Sequence, residues 1–117
     1  IKTSFELKES HNKKVFEDSI GMTGDWRNSG PIFQIPYRCI RSENIDNLLV
    51  AGRCISTKTS AWDITRVIPP CAVTGQAAGA AAAICNEKNE GVKDINIERL
   101  RDRLINQGVI IDNSLCK

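Results

Sequence analysis

The apolar positions of this chain change period several times, and each change predicts an element. Ile1, Thr3, Phe5 and Leu7 alternate with charged or polar neighbours in IKTSFELKES, the two-residue period of a half-buried strand. Residues 11–14 read as a polar turn. Val15, Phe16 and Ile20 then share a helical face, which predicts a short helix over residues 14–21 ending at Gly21. Gly24, Asn28, Ser29, Gly30 and Pro31 make residues 22–31 a loop. Alternation returns over residues 33–40, where Pro36 confines the strand to an edge or a strand start.

After a turn at residues 42–46, Leu48, Leu49, Val50 and Ala51 run without interruption between Asn47 and Gly52. Such a run suits a strand buried on both faces of a parallel sheet. A long polar loop at residues 56–67 follows, of the kind that carries function at strand ends. Pro69 and Pro70 then start a helix within a few residues of Pro70. That helix is poor in side-chain bulk: Ala72, Ala77, Ala78, Ala80, Ala81, Ala82 and Ala83 surround Gly75 and Gly79, four apart on one face. Each glycine costs about 1 kcal/mol against alanine, so close approach of another body is the reason to place them there. The approaching body is either a sheet against which the helix packs or an electron-rich ligand near its positive end. The polar run NEKNEG ends the helix, with Gly91 as the stop. Asn96 caps a last helix with Ile97, Leu100, Leu104 and Ile105 on one face, Gly108 ends it, and residues 109–111 form an apolar tail.

Composition narrows the class. At 117 residues, with 41% hydrophobic and 26% charged positions, the chain reads as one small globular domain of the α/β class. A net charge of +2 and the absence of a basic stripe with aromatics give no preference for nucleic acid. No apolar run reaches the length of a membrane span by this reading, and no signal peptide stands at Ile1. Cys39, Cys54, Cys71, Cys85 and Cys116 are odd in number and scattered. Neither a disulfide framework nor a metal site is suggested, and reduced thiols point to a cytoplasmic setting.

Few side chains carry distinctive chemistry. His11 reads as a solvated turn residue. Trp26 either walls a pocket or pins its loop, and Arg38 reads as one half of a surface ion pair. Arg53 directly follows the apolar run, where a guanidinium either grips a phosphate or carboxylate or serves a structural pair. In the loop at 56–67, Trp62, Asp63 and Arg66 are the candidates. Arg66 either meets an anionic ligand or forms an i, i+3 pair with Asp63. No general base stands out.

Three blocks in order, IPYRC from Ile35, DNLLVAGRCIS from Asp46 and RVIPPCAVTGQAAGAAAA from Arg66, resemble the C-terminal part of FAD-dependent oxidoreductases related to the glutathione reductase and fumarate reductase flavoproteins. With a weaker block, KVFEDSIGM, the resemblance covers about residues 14–112. It implies a C-terminal fragment of a Rossmann-like FAD-binding domain over residues 35–117, preceded by a substrate-side or connecting segment over residues 1–34. It also implies that Ala51, Gly52 and Arg53 lie beside the phosphate and ribityl chain of FAD. Thr74, Gly75, Gln76 and Ala77 would form the helix start under the flavin.

The fingerprint G-x-G-x-x-G is absent, Thr59 stands where a histidine is often found, and Asp63 stands where a glycine is often found. Partners implied are the rest of a parent chain and a small-molecule substrate. Self-association through exposed apolar edges is the expectation for a piece lacking its neighbouring strands. Two other readings remain: an α/β interaction domain whose Ala/Gly helix is a packing face, and a thiol redox protein using Cys54 and Cys71.

Overall fold

The computed structural model describes residues 2–115. Ile1, at the head of the first alternating stretch, and Cys116 lie outside the described residues. A two-stranded antiparallel hairpin, β1 (Ser19–Gly24) and β2 (Ile32–Pro36), lies against α2 (Ile68–Lys88), with α1 (Ser60–Thr65) and α3 (Ile97–Asn106) beside it. Short 3-10 turns at Glu9–His11, Tyr37–Cys39 and Gly52–Cys54 punctuate the connections.

The hairpin replaces the helix expected over 14–21. Ser19 pairs with Pro36 and Gly21 with Ile35, so Ile20 is the extra residue of a bulge. Phe16 and Ile20 are buried whereas Val15 is 68% exposed, so only part of the supposed helical face meets the core. Gly21 decides the matter: a Cβ there would lie 2.1 Å from Val73 Cγ1, so β1 runs directly against α2 where no side chain fits. The loop expected at 22–31 accordingly shrinks to residues 25–31, and the strand expected over 33–40 stops at Pro36.

At the N-terminus the burial alternates as expected, with Phe5 half-buried and Leu7 buried, but no strand forms. Leu7 alone bridges Thr57 in parallel fashion, its N–H donating to Ser56 O at 3.0 Å and its carbonyl accepting from Lys58 N at 2.9 Å. The strand expected at 48–51 is likewise reduced to one bridge, Leu49 to Arg41, with Val50 N donating to Ile40 O at 2.7 Å. Leu48, Leu49, Val50 and Ala51 are only half-buried. A run built for burial on two faces finds a neighbour on one side here.

α2 begins at Ile68 and ends at Lys88. Its stop is Asn89, left-handed at φ 54°, rather than Gly91; Glu90 N donates to Cys85 O at 2.9 Å, closing the end. Pro70, Thr74, Ala77, Ala81 and Ile84 recur at helical spacing and are buried. α2 is long and apolar enough to cross a bilayer by length and composition alone, whereas no run reaches that length by the reading above. Its buried face against the hairpin is equally what a core helix presents. α3 follows the expectation closely: Asn96 Oδ1 accepts from Arg99 N at 2.9 Å, and Leu100 and Leu104 are fully buried. Ile105 remains half exposed. Gly108, at φ +84°, lets Val109 N reach back to Leu104 O at 2.9 Å.

One core cluster joins Leu7, Phe16 and Ile20 to Ile35, Tyr37, Ala77, Ala81, Ile84, Leu100 and Leu104. The small α/β fold is therefore built around the buried face of a helix with little bulk, and the hairpin comes close because β1 has Gly21 where it meets Val73.

Candidate functional site

The end of the apolar run and the second turn of α2 meet through one hydroxyl. Thr74 is fully buried. Its Oγ1 donates to Pro70 O at 2.9 Å and accepts from Gly52 N at 2.9 Å. Gly52 is left-handed at φ +67°, and a Cβ there would stand 3.6 Å from Cys71 Sγ. The turn is thus fixed to the helix by backbone and hydroxyl, with no bulky side chain between them.

Of the seven residues picked out in the sequence, Gly52 and Thr74 are in direct contact, with Ala51 and Arg53 flanking the turn. Arg53 is exposed and donates from Nε to Arg66 O at 3.4 Å; among the described residues it has no carboxylate partner. Gly75 and Gln76 are exposed, and Gln76 Nε2 donates to Gln107 Oε1 at 3.0 Å. Ala77 faces the core. The expectation that Thr74, Gly75, Gln76 and Ala77 form the helix start is corrected: the helix starts six residues earlier than Thr74, at Ile68. Pro69 and Pro70 also carry no N–H, so its first turn presents fewer free donors than an ordinary helix end.

The glycines of α2 behave unlike the one in β1. Nothing lies within 4 Å of a Cβ placed at Gly75 or Gly79. Ala72, Gly75, Gly79, Ala82 and Ala83 are all exposed, forming a bare stripe opposite the buried one. The close approach inferred from these glycines is made within this chain by Gly21 against Val73 instead. A hairpin reading of residues 19–36, with its turn-forming residues 24–31 in the middle, is the signal that would have found it.

Around this junction the polar loop condenses into α1. Its first neighbour, Thr59, sits at φ 54° and ψ −134°, a strained position for a β-branched residue. The i, i+3 pair is present: Arg66 Nε lies 3.2 Å from Asp63 Oδ1. Trp26 does pin its loop, donating from Nε1 to Asp63 O at 3.1 Å, although the ring stays exposed. Arg27 grips Asp25 through Nε at 2.9 Å and Nη2 at 3.0 Å, which holds the Asp25 carboxyl well below the usual carboxylate range. Arg38 forms the ion pair expected of it, with Asp18 at 2.9 Å.

Elsewhere, a groove of about 530 Å³ lined by Val15, Arg38, Arg41, Lys93 and Ile95 contains none of the seven residues. No cluster of metal-binding side chains occurs among the described residues. Cys39, Cys54, Cys71 and Cys85 are all free thiols. Burial pushes the Cys39 thiol up to about 12, so it is a core group and not a reactive one.

No curated protein and no solved structure matches the chain. A family model described as FAD dependent oxidoreductase matches residues 4–104, reaching further into the N-terminal segment than the blocks that begin at Lys14. On that match over most of its length, the chain belongs to the FAD dependent oxidoreductase family.

Proposed function

We propose that this chain supplies the C-terminal part of a Rossmann-like FAD domain in an oxidoreductase related to the glutathione reductase and fumarate reductase flavoproteins. Residues 35–117 would contribute to the cofactor domain, and residues 1–34 a connecting segment on the substrate side. The observation that carries this reading is the bare stripe of α2: Ala72, Gly75, Gly79 and Ala83 are exposed, with empty space over both glycines. A helix stabilised only by its own propensity would not keep two glycines on an uncovered face. A cofactor and its sheet lying close against that face give them a reason.

The residues fit such a group. Gly52 and Thr74 lock the turn to the helix, so the exposed Arg53 side chain leaves from a fixed base and is suited to bidentate contact with phosphate oxygens. Gly75 leaves bare backbone on the open face of α2, while the Gln76 amide is taken by Gln107. When bound, FAD supplies the redox chemistry by taking up and passing on electrons. The part of this chain is to position the group and keep water from one side of it. Without the phosphate loop of a G-x-G-x-x-G fingerprint, the chain alone is inactive in this account.

Gly75→Val separates this reading from an α/β interaction domain. A side chain on the bare stripe lowers FAD retention by the flavoprotein if the stripe meets the cofactor side. Weakened self-association with FAD retention unchanged would instead assign the stripe to a protein–protein contact.

A further inference from the structure

The groove of about 530 Å³ shares no residue with the Gly52–Thr74 junction, and the cofactor reading gives it no task. Val15, Tyr37, Ile95 and Ile97 supply its apolar lining. Five charged side chains line it too, and three of them are already committed. Arg38 Nε lies 2.9 Å from Asp18 Oδ2, and Lys93 Nζ lies 2.6 Å from Asp46 Oδ1 outside the groove. Two groups of opposite sign are left, Arg41 and Glu17.

Arg41 is half-buried and meets no carboxylate among the described residues, and Glu17 is exposed. Arg101 reaches the backbone carbonyl of Glu17, not its carboxylate. The two uncommitted groups leave from one fixed joint. Tyr37 N donates to Asp18 O at 2.8 Å, and Arg38 N donates to Asp18 Oδ2 at 3.2 Å. Glu17 precedes Asp18 by one residue and Arg41 follows Arg38 by three, so both side chains enter the same groove from bonded backbone. They do not pair with each other. A half-buried guanidinium without an anion is costly to hold, and a carboxylate left apart from it in the same groove is the complement of a molecule carrying both charges.

We propose that this groove binds an apolar α-amino acid as its zwitterion, with the carboxylate on Arg41, the ammonium on Glu17 and the side chain against Val15, Ile95 and Ile97. An apolar monocarboxylate leaves Glu17 without a role, and an apolar amine leaves Arg41 without one. The site stands on the groove alone and does not rest on the flavin reading above.

Calorimetric titration of the full protein product containing this chain with phenylalanine is expected to show saturable binding. Phenylpropionate, which lacks the ammonium, and phenethylamine, which lacks the carboxylate, should each bind roughly tenfold more weakly. Arg41→Gln should weaken phenylalanine and phenylpropionate and leave phenethylamine unchanged. Glu17→Gln should weaken phenylalanine and phenethylamine and leave phenylpropionate unchanged. A misfolded variant weakens all three ligands alike, so the crossed pattern reports the site itself. Should Arg41→Gln disturb the fold, the exposed Glu17 variant and the comparison of ligands on the native protein still decide. No saturable binding, phenylpropionate or phenethylamine binding as tightly as phenylalanine, or variants that change nothing overturn the proposal. So does FAD retention lost together with phenylalanine binding in these variants, which would give the groove to the cofactor. Phenylalanine binding by a protein that retains no FAD would instead mark a failure of the flavin reading alone.

Discussion

Replacing Thr74 by valine keeps the shape of the side chain and removes the hydroxyl that ties Gly52 to α2. The Gly52 N–H then loses its acceptor in a partly buried place, which costs about 1–3 kcal/mol. Urea unfolding should show that loss for Thr74→Val and much less for Thr74→Ser. Cys39 gives a second residue-scale test. Burial raises its folded pKa from 9.0 to about 12, so the folded state holds the proton that the unfolded chain gives up. Its contribution to stability is fully present below about pH 9 and is lost as pH rises toward 12. Thermal melts across this range should fall more steeply for the native chain than for Cys39→Ala. At this scale the sequence was legible where a residue acts through its neighbours in the chain, as in the Asp63–Arg66 pair and the Asn96 cap. The role of Thr74 was not, because its partner Gly52 is 22 positions away.

Among the elements, α2 carries two small-residue faces with opposite circumstances. One is closed by β1, where Gly21 admits Val73; the other is open over Gly75 and Gly79. Gly21→Ala forces Val73 aside and should destabilise the chain by about 1–3 kcal/mol. Gly75→Ala meets empty space and should stabilise it by up to about 1 kcal/mol, through helix propensity alone. Denaturant midpoints of the two variants moving in opposite directions would confirm that the faces differ. α3 was readable end to end because its own cap, face and stop residues specify it. The hairpin was misread because Val15, Phe16 and Ile20 fit a helical face as well as a strand, and only the contact of Gly21 with α2 separates the two. The apolar run 48–51 failed to form a strand for the complementary reason: a strand needs partners, and one bridge to Arg41 is what this chain provides.

For the molecule as a whole, the uncovered surfaces are the ones the proposed cofactor role would use. The half-buried run, the bare stripe on α2 and the exposed Arg53 lie around a single junction, held by the Gly52–Thr74 bond. Family membership gives the kind of protein, and the proposal is that FAD is held at this junction. The most direct measurement is the visible absorbance of the full protein product containing this chain, incubated with FAD and passed through gel filtration. The account predicts flavin bands that travel with the protein. A folded, colourless protein that leaves FAD in the small-molecule fraction would contradict it.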